Sequence, residues 1–307
     1  MALPSFYQSS QVGKLYTPNV NEAVRQGKAL NLPNAADDEM RVALLLIDMQ
    51  VDFIHEDGAL YVPGAIEDTR RTVEWLFENV GNITTIFASL DSHVPLQIFS
   101  PAWWQDEDGE HPQPYTVISA EDVQTGRWTP IYQPEWSSRY VAALEGNHKK
   151  QLMIWPYHTL LGTPGHNLTP ALYEAITYHA AARQAAPQFI MKGLQPESEH
   201  YSLFEPEVKL ERLTNGGLDV ERLKALANYD RVYVAGQAKS HCVLESVGSF
   251  MRYYEGQDAI IGKMRVLMDG MSSVQHPEID FEGLATEAFT TFSQQGLTLT
   301  NTSDGLL

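Results

Sequence analysis

The chain has 307 residues, with 21 Lys plus Arg against 39 Asp plus Glu and a formal charge of −18. That sign works against nucleic acid and anionic membranes, both of which reward positive charge. A single cysteine excludes an internal disulfide, a CxxC redox pair and sulfur-rich zinc sites. No apolar run reaches membrane-spanning length and the first residues carry no secretory pattern, so the expectation is a soluble, cytoplasmic protein.

Residues 1–40 are mixed and polar, ending in NLPNAADDE, and read as an arm or cap on a main domain of residues 41–307. VALLLID, from Val42 to Asp48, is a continuous apolar run closed by an acid, as a strand buried on both faces requires. Helical spacing follows at Val73, Leu76, Phe77 and Val80, then a strand from Ile83 to Leu90. The stretch from Pro101 to Met153 breaks the alternation. It carries Trp103, Trp104, Trp128 and Trp136 among prolines, glycines and acids, and its length suggests a lid or interface arm.

Beyond it the alternation resumes. A helix is expected over Pro170–Arg183, a strand over Gln188–Lys192, a helix over Leu218–Tyr229 and a strand over Arg231–Gly236. A helix opens near Ser240, followed by a strand Met264–Met268, a helix Phe281–Gln295 and a strand Leu297–Thr300. Strands alternating with helices predict a three-layer α/β sandwich around a mostly parallel, doubly wound sheet of about six strands. In such sheets ligands collect beyond the carboxyl ends of the strands.

Polar residues stand at those ends. Asp48 closes the first strand, Asp91 follows the second, Lys192 closes a third and Cys242 lies just past a fourth, bringing an acid, a base and a thiol to one rim. A thiol in a first helical turn meets free N–H groups and a positive dipole end, which favour thiolate. Desolvation should raise the pKa of Asp48 and let it accept the thiol proton. In LDSHV, Asp91 and His93 are two residues apart and project the same way from extended chain, so they can share a cation. Either His158 or His166, both in IWPYHTLLGTPGH, would supply a third ligand. His241, beside the thiol, is expected to point away as packing or surface.

LLLIDMQVDF, DGALYVPGA, the Asp91-x-His93 pair, WPYHTLLGTPGH, MKGLQPESEHYSLF and VAGQAKSHCV occur in the order found in isochorismatase-like cysteine hydrolases. The sequence most resembles the nicotinamidase branch, from Val42 to the last helix. The resemblance implies a catalytic triad of Asp48, Lys192 and Cys242, and an oxyanion hole from the N–H groups of Ala238 and Cys242. It implies a cis peptide at Gln237–Ala238, and Phe53, Trp155 and Tyr201 lining an aromatic slot. It also implies a divalent metal, zinc with iron or manganese as alternatives, on Asp91, His93 and His158. Relatives often assemble, so a homo-oligomer is expected. The chain departs from the family pattern where Ser92, Gln97 and Thr159 replace its usual Trp, His and Cys.

The activity implied is hydrolysis of a small aromatic or heteroaromatic carboxamide to acid and ammonia through a thioester. Two alternatives are a metal-free relative cleaving a ureido, carbamoyl or other linear amide on the same triad, and a non-catalytic binding protein using the tryptophan-rich insertion.

Overall fold

The computed structural model describes residues 3–148, 150–210, 212–213 and 216–306. Met1 and Ala2 of the arm, Lys149 of the insertion, and Glu211, Thr214, Asn215 and Leu307 of the main domain lie outside the described residues.

Six strands form one sheet: β1 (Val42–Ile47), β2 (Thr85–Asp91), β3 (Gln188–Lys192), β4 (Arg231–Gly236), β5 (Met264–Leu267) and β6 (Thr298–Thr300). Their spatial order is β3-β2-β1-β4-β5-β6, and every pairing is parallel. The chain therefore winds outward from β1 to β3, returns to the centre and winds outward again through β4 to β6. The reversal falls between β1 and β4, the crevice where such sheets bind ligands.

The continuous apolar run of β1 is explained by its two covered faces. Val42, Leu44 and Leu46 pack into one core with Val73, Leu76 and Phe77 of helix Ala65–Glu78 and Leu172, Ala175 and Ile176 of helix Pro170–Arg183. Ala43, Leu45 and Ile47 enter a second core with residues of helices Val220–Ala227, Leu244–Tyr253 and Phe281–Gln294. β3, at the sheet edge, alternates instead: Phe189 and Met191 are exposed while Ile190 and Lys192 are buried. That period-two alternation is what turns Lys192 inward.

Residues 1–40 include the helix Val20–Ala29, capped by the Asn19 side chain, which packs on helix Pro170–Arg183. Buried Glu174 ties the arm down, accepting from Asn19 N at 2.6 Å and Tyr16 Oη at 2.8 Å. In the insertion, Trp103 and Trp104 belong to the core rather than to an open surface, with their indole N–H groups on Ser137 Oγ and the Ile98 carbonyl. The insertion contains the helices Ala120–Thr125 and Pro134–His148 and two short antiparallel strand pairs.

Several boundaries differ from expectation by one or two residues, and three details of the chain bear on the strand ends. Asp91 is the last residue of β2, because it pairs with Lys192 across the sheet. Asp48 lies just beyond β1 with φ 49°, turning its carboxylate under the strand ends. The turn after β4 is a single π-type turn, Lys239–Val243, running straight into helix Leu244–Tyr253. No helix among the described residues is long and apolar enough to cross a membrane.

Gly236 closes β4 with φ 140°, and a Cβ there would lie 2.1 Å from the Ile47 carbonyl oxygen. Only glycine tolerates both conditions. Gly236→Ala should lower unfolding free energy by about 2–4 kcal/mol. Urea unfolding measures this, and an unchanged midpoint would show that the two central strands separate at no cost.

Candidate active site

The carboxyl ends of β1, β2 and β3 and the turn after β4 converge on the Lys192 ammonium, which is buried. Nζ donates to Asp91 Oδ1 at 2.8 Å, to the His200 carbonyl at 2.8 Å and to Cys242 Sγ at 3.5 Å. Those three bonds use its three hydrogens. Asp48 Oδ2, 3.0 Å away, is held as an ion pair without an aligned hydrogen bond. Asp48 Oδ1 accepts from Ser89 Oγ at 2.6 Å, and Ser89 Oγ in turn accepts the Asp48 N–H at 3.0 Å. Ligating atoms of Asp48, Asp91 and Cys242 lie within 4.8 Å of one another.

Burial dominates the electrostatics of these groups, and charge decides the residue. It raises Asp48, with Lys192 opposing and Asp91 reinforcing. Burial would lower Lys192, but Asp48, Asp91 and Cys242 outweigh it and keep the amine charged. Burial also raises Cys242 well above its ordinary value, against the pull of Lys192 and with the two carboxylates adding to the rise. Burial beside two carboxylates thus works against the thiolate that the helical turn was expected to favour, and Lys192 works for it. The rise at Asp48 is in the direction that desolvation was expected to give.

Asp91 serves a second cluster through its other oxygen. Oδ2 lies 2.9 Å from His93 Nε2 and 3.8 Å from His158 Nε2. Both histidines point Nδ1 at backbone carbonyls, His93 to Gly193 at 3.3 Å and His158 to Pro156 at 2.7 Å. This leaves both Nε2 atoms facing the carboxylate, as metal-ligating histidines are arranged. His93 Nε2 is buried with no aligned partner. Burial alone would lower His93, yet Asp91 draws it above its usual value, so positive charge is favoured at that face. For His158, burial and the charge of His93 push the ring down to about 3. One carboxylate and two imidazoles with ligand atoms inside 4.8 Å fit a divalent cation with open positions. His166 stays outside the cluster, its Nε2 2.8 Å from Ser92 Oγ.

The substituted positions have structural partners. Gln97 Nε2 donates to the carbonyls of Gly193 and Gln195, and Asp52 accepts the Thr159 N–H. Gln50, not singled out in the sequence, holds Asp91 by both backbone groups, at 2.7 Å and 2.8 Å. Gly193, also missed, lies so close that a Cβ would be 2.6 Å from Asp91 Oδ1.

A slot opens over Cys242, lined by Phe53, Leu60, Asp91, Trp155, His158, Glu199, Tyr201, Ala238, His241 and Val274. Phe53, Trp155, Tyr201 and Ala238 thus stand together as the sequence suggested, and Gln237–Ala238 is cis. Trp155 Nε1 donates to Tyr201 Oη at 2.9 Å, fixing both rings. His241 does not point away: the π-type turn swings its ring inward against Trp155, Tyr201 and Phe281. Glu199 is a further addition, raised to about 7 by burial against the pull of His93. Its segment has no periodicity, so nothing in the sequence marked it as buried.

No protein-family profile and no curated protein matches the chain. Solved structures do. The Acinetobacter baumanii nicotinamidase/pyrazinamidase aligns with TM-score 0.56 and 18% identity over 87% of this chain and 99% of that one. Yeast nicotinamidase Pnc1p, bound to the inhibitor nicotinaldehyde, gives 0.57 and 17% over 85% and 99%. PnC1 from L. infantum, in complex with nicotinate, gives 0.50 and 17% over 88% and 96%. The chain has the fold of these nicotinamidase structures.

His200, whose carbonyl accepts from Lys192, is pushed down to about 4 by burial and by Lys192. A histidine with a lowered folded value takes up its proton on unfolding. Its stabilising contribution is present above the unfolded value near 6.5 and lost as pH falls toward the folded one. The stability of wild type over His200→Gln should therefore be greatest above about pH 6.5 and shrink toward about pH 4. Urea unfolding across that range reads it, and a pH-independent difference would mean the imidazole titrates as in water.

Proposed function

We propose that this chain is a cysteine-dependent amidohydrolase of nicotinamidase type, converting a small heteroaromatic carboxamide to the acid and ammonia. The observation that carries the reading is the contact of a buried ammonium with a thiol and two carboxylates at the mouth of an aromatic-walled slot. The nicotinamidase fold supports it.

In this reading Asp48 accepts the thiol proton while Cys242 Sγ forms a bond to the amide carbon. Lys192 balances the charge on Asp48 and on the sulfur throughout. The N–H groups of Ala238 and Cys242 receive the oxyanion. Asp48 hands its proton to the amide nitrogen, the C–N bond breaks, and ammonia leaves a thioester on Cys242. Asp48 then takes a proton from water, whose oxygen attacks the thioester, and cleavage of the C–S bond returns the acid and the thiol. A divalent metal, zinc or alternatively iron or manganese, would be held by Asp91, His93 and His158 and supply an electrophilic anchor for the ring nitrogen. Phe53, Trp155 and Tyr201 flank a flat ring and exclude water from the thioester.

A second reading keeps the triad and cleaves a ureido or other linear amide without metal. It is favoured by the 2.9 Å approach of Asp91 Oδ2 to His93 Nε2, which would then be a structural pair. Metal analysis of the purified protein separates the two. Under the first reading about one divalent ion copurifies per chain, and His93→Ala loses it and raises KM for nicotinamide. A metal-free protein active on ureido compounds and inert toward nicotinamide selects the second.

Cys242→Ala should abolish ammonia release with the fold intact. Asp48→Asn and Lys192→Ala should each lower kcat by about 10³-fold or more, as loss of one member of a concerted set does. A loss of less than about tenfold for Asp48→Asn would remove it as the proton carrier.

A further inference from the structure

The length of the insertion suggests a lid or an interface arm, and its hydrogen bonds run to the segment beside the Lys192 cluster. The helix Pro134–His148 meets the irregular segment that carries Glu199, His200 and Tyr201. Tyr140, fully buried, accepts the Glu199 N–H on its hydroxyl at 3.0 Å. One turn earlier, Trp136 Nε1 donates to the Glu197 carbonyl at 2.8 Å. Lys150, just past the helix, pairs with Glu207 at 3.0 Å and with Glu245, in the first turn of the helix behind Cys242. Glu207 N–H closes the loop by donating to the Glu199 carbonyl at 2.8 Å.

Between these anchors sits the His200 carbonyl, which takes one of the three hydrogens of the Lys192 ammonium. Sequence position 200 lies on neither a helix nor a strand, so no regular backbone ladder of its own holds that carbonyl in place. We propose that the insertion is a brace, in which Tyr140 and Trp136 are positioning residues that fix the Glu197–Tyr201 backbone so that the His200 carbonyl holds Lys192 against Cys242. The inference rests on the cysteine-hydrolase reading for its effect on turnover, but the placement of the ammonium beside the sulfur is independent of which amide is cleaved.

Tyr140→Phe keeps the ring and removes the hydroxyl that accepts the Glu199 N–H and also bonds the Ser198 side chain in the same segment. Trp136→Phe, nearer the surface, gives a second variant that tests the same segment. The chain has one cysteine, so iodoacetamide labelling followed by mass spectrometry reads Cys242 alone. In both variants, melting as wild type, alkylation at pH 8 and kcat on nicotinamide should fall by about tenfold, with KM within about threefold, since a displaced charge affects reactivity more than ring binding. In a Lys192→Ala background, Tyr140→Phe should add less than about twofold, because its effect passes through the ammonium.

Folded variants that alkylate at the wild-type rate would overturn the brace, as would full multiplicative slowing in the Lys192→Ala background. A wild-type protein inert toward nicotinamide, whose alkylation still slows in Tyr140→Phe, would sink the nicotinamidase reading and uphold the brace.

Discussion

The structure depends on one buried cation. Taking an ammonium and two carboxylates out of water is costly, and their attraction offsets that cost only if the geometry is held closely. Lys192 meets the condition because four separate stretches of backbone end at the same place: β1 before Asp48, β2 at Asp91, β3 at Lys192 itself, and the turn after β4 at Cys242. A parallel sheet in the order 3-2-1-4-5-6 brings those ends to one edge. An antiparallel sheet would have sent half of them to the opposite side.

Asp91 makes the arrangement one unit rather than two. Its Oδ1 lies on Lys192 and its Oδ2 faces His93 and His158, so the thiol cluster and the imidazole cluster share a single carboxylate. Anything that moves Asp91 disturbs both. The surroundings reflect that demand: Gln50 grips both its backbone groups, and Gly193 leaves no room for a side chain beside it. The pKa directions follow the same sharing, with Asp91 driven well below its usual value despite burial, by His93 and Lys192 together.

Much of this was legible in the residues. Val42–Ile47 read as a strand covered on both faces and Gln188–Lys192 as a strand, whereas the edge position of the latter shows only in the exposure of Phe189 and Met191. The polar residues at strand ends marked the site because a charge is rarely placed there for packing. Legibility failed where conformation is not periodic. Glu199 lies in a segment with no repeating pattern, and its burial comes from the insertion folding over it. His241 was read along an ordinary helix, but one π-type turn rotates its ring into the slot. The packing of Trp103 and Trp104 into the core was not legible either, because the insertion has no regular period.

The residue pattern by itself settled the alternation of strands and helices, the parallel sheet it implies, and which side chain types stand at the strand ends, since these follow from local periodicity and chain direction. Only the tertiary structure decided that Asp91 is shared between two clusters, that burial raises the Cys242 thiol against the pull of Lys192 and that residues over 50 positions away brace the Lys192 contact. Those outcomes depend on desolvation and on distances between segments remote in the chain, and neither quantity exists until the segments have packed.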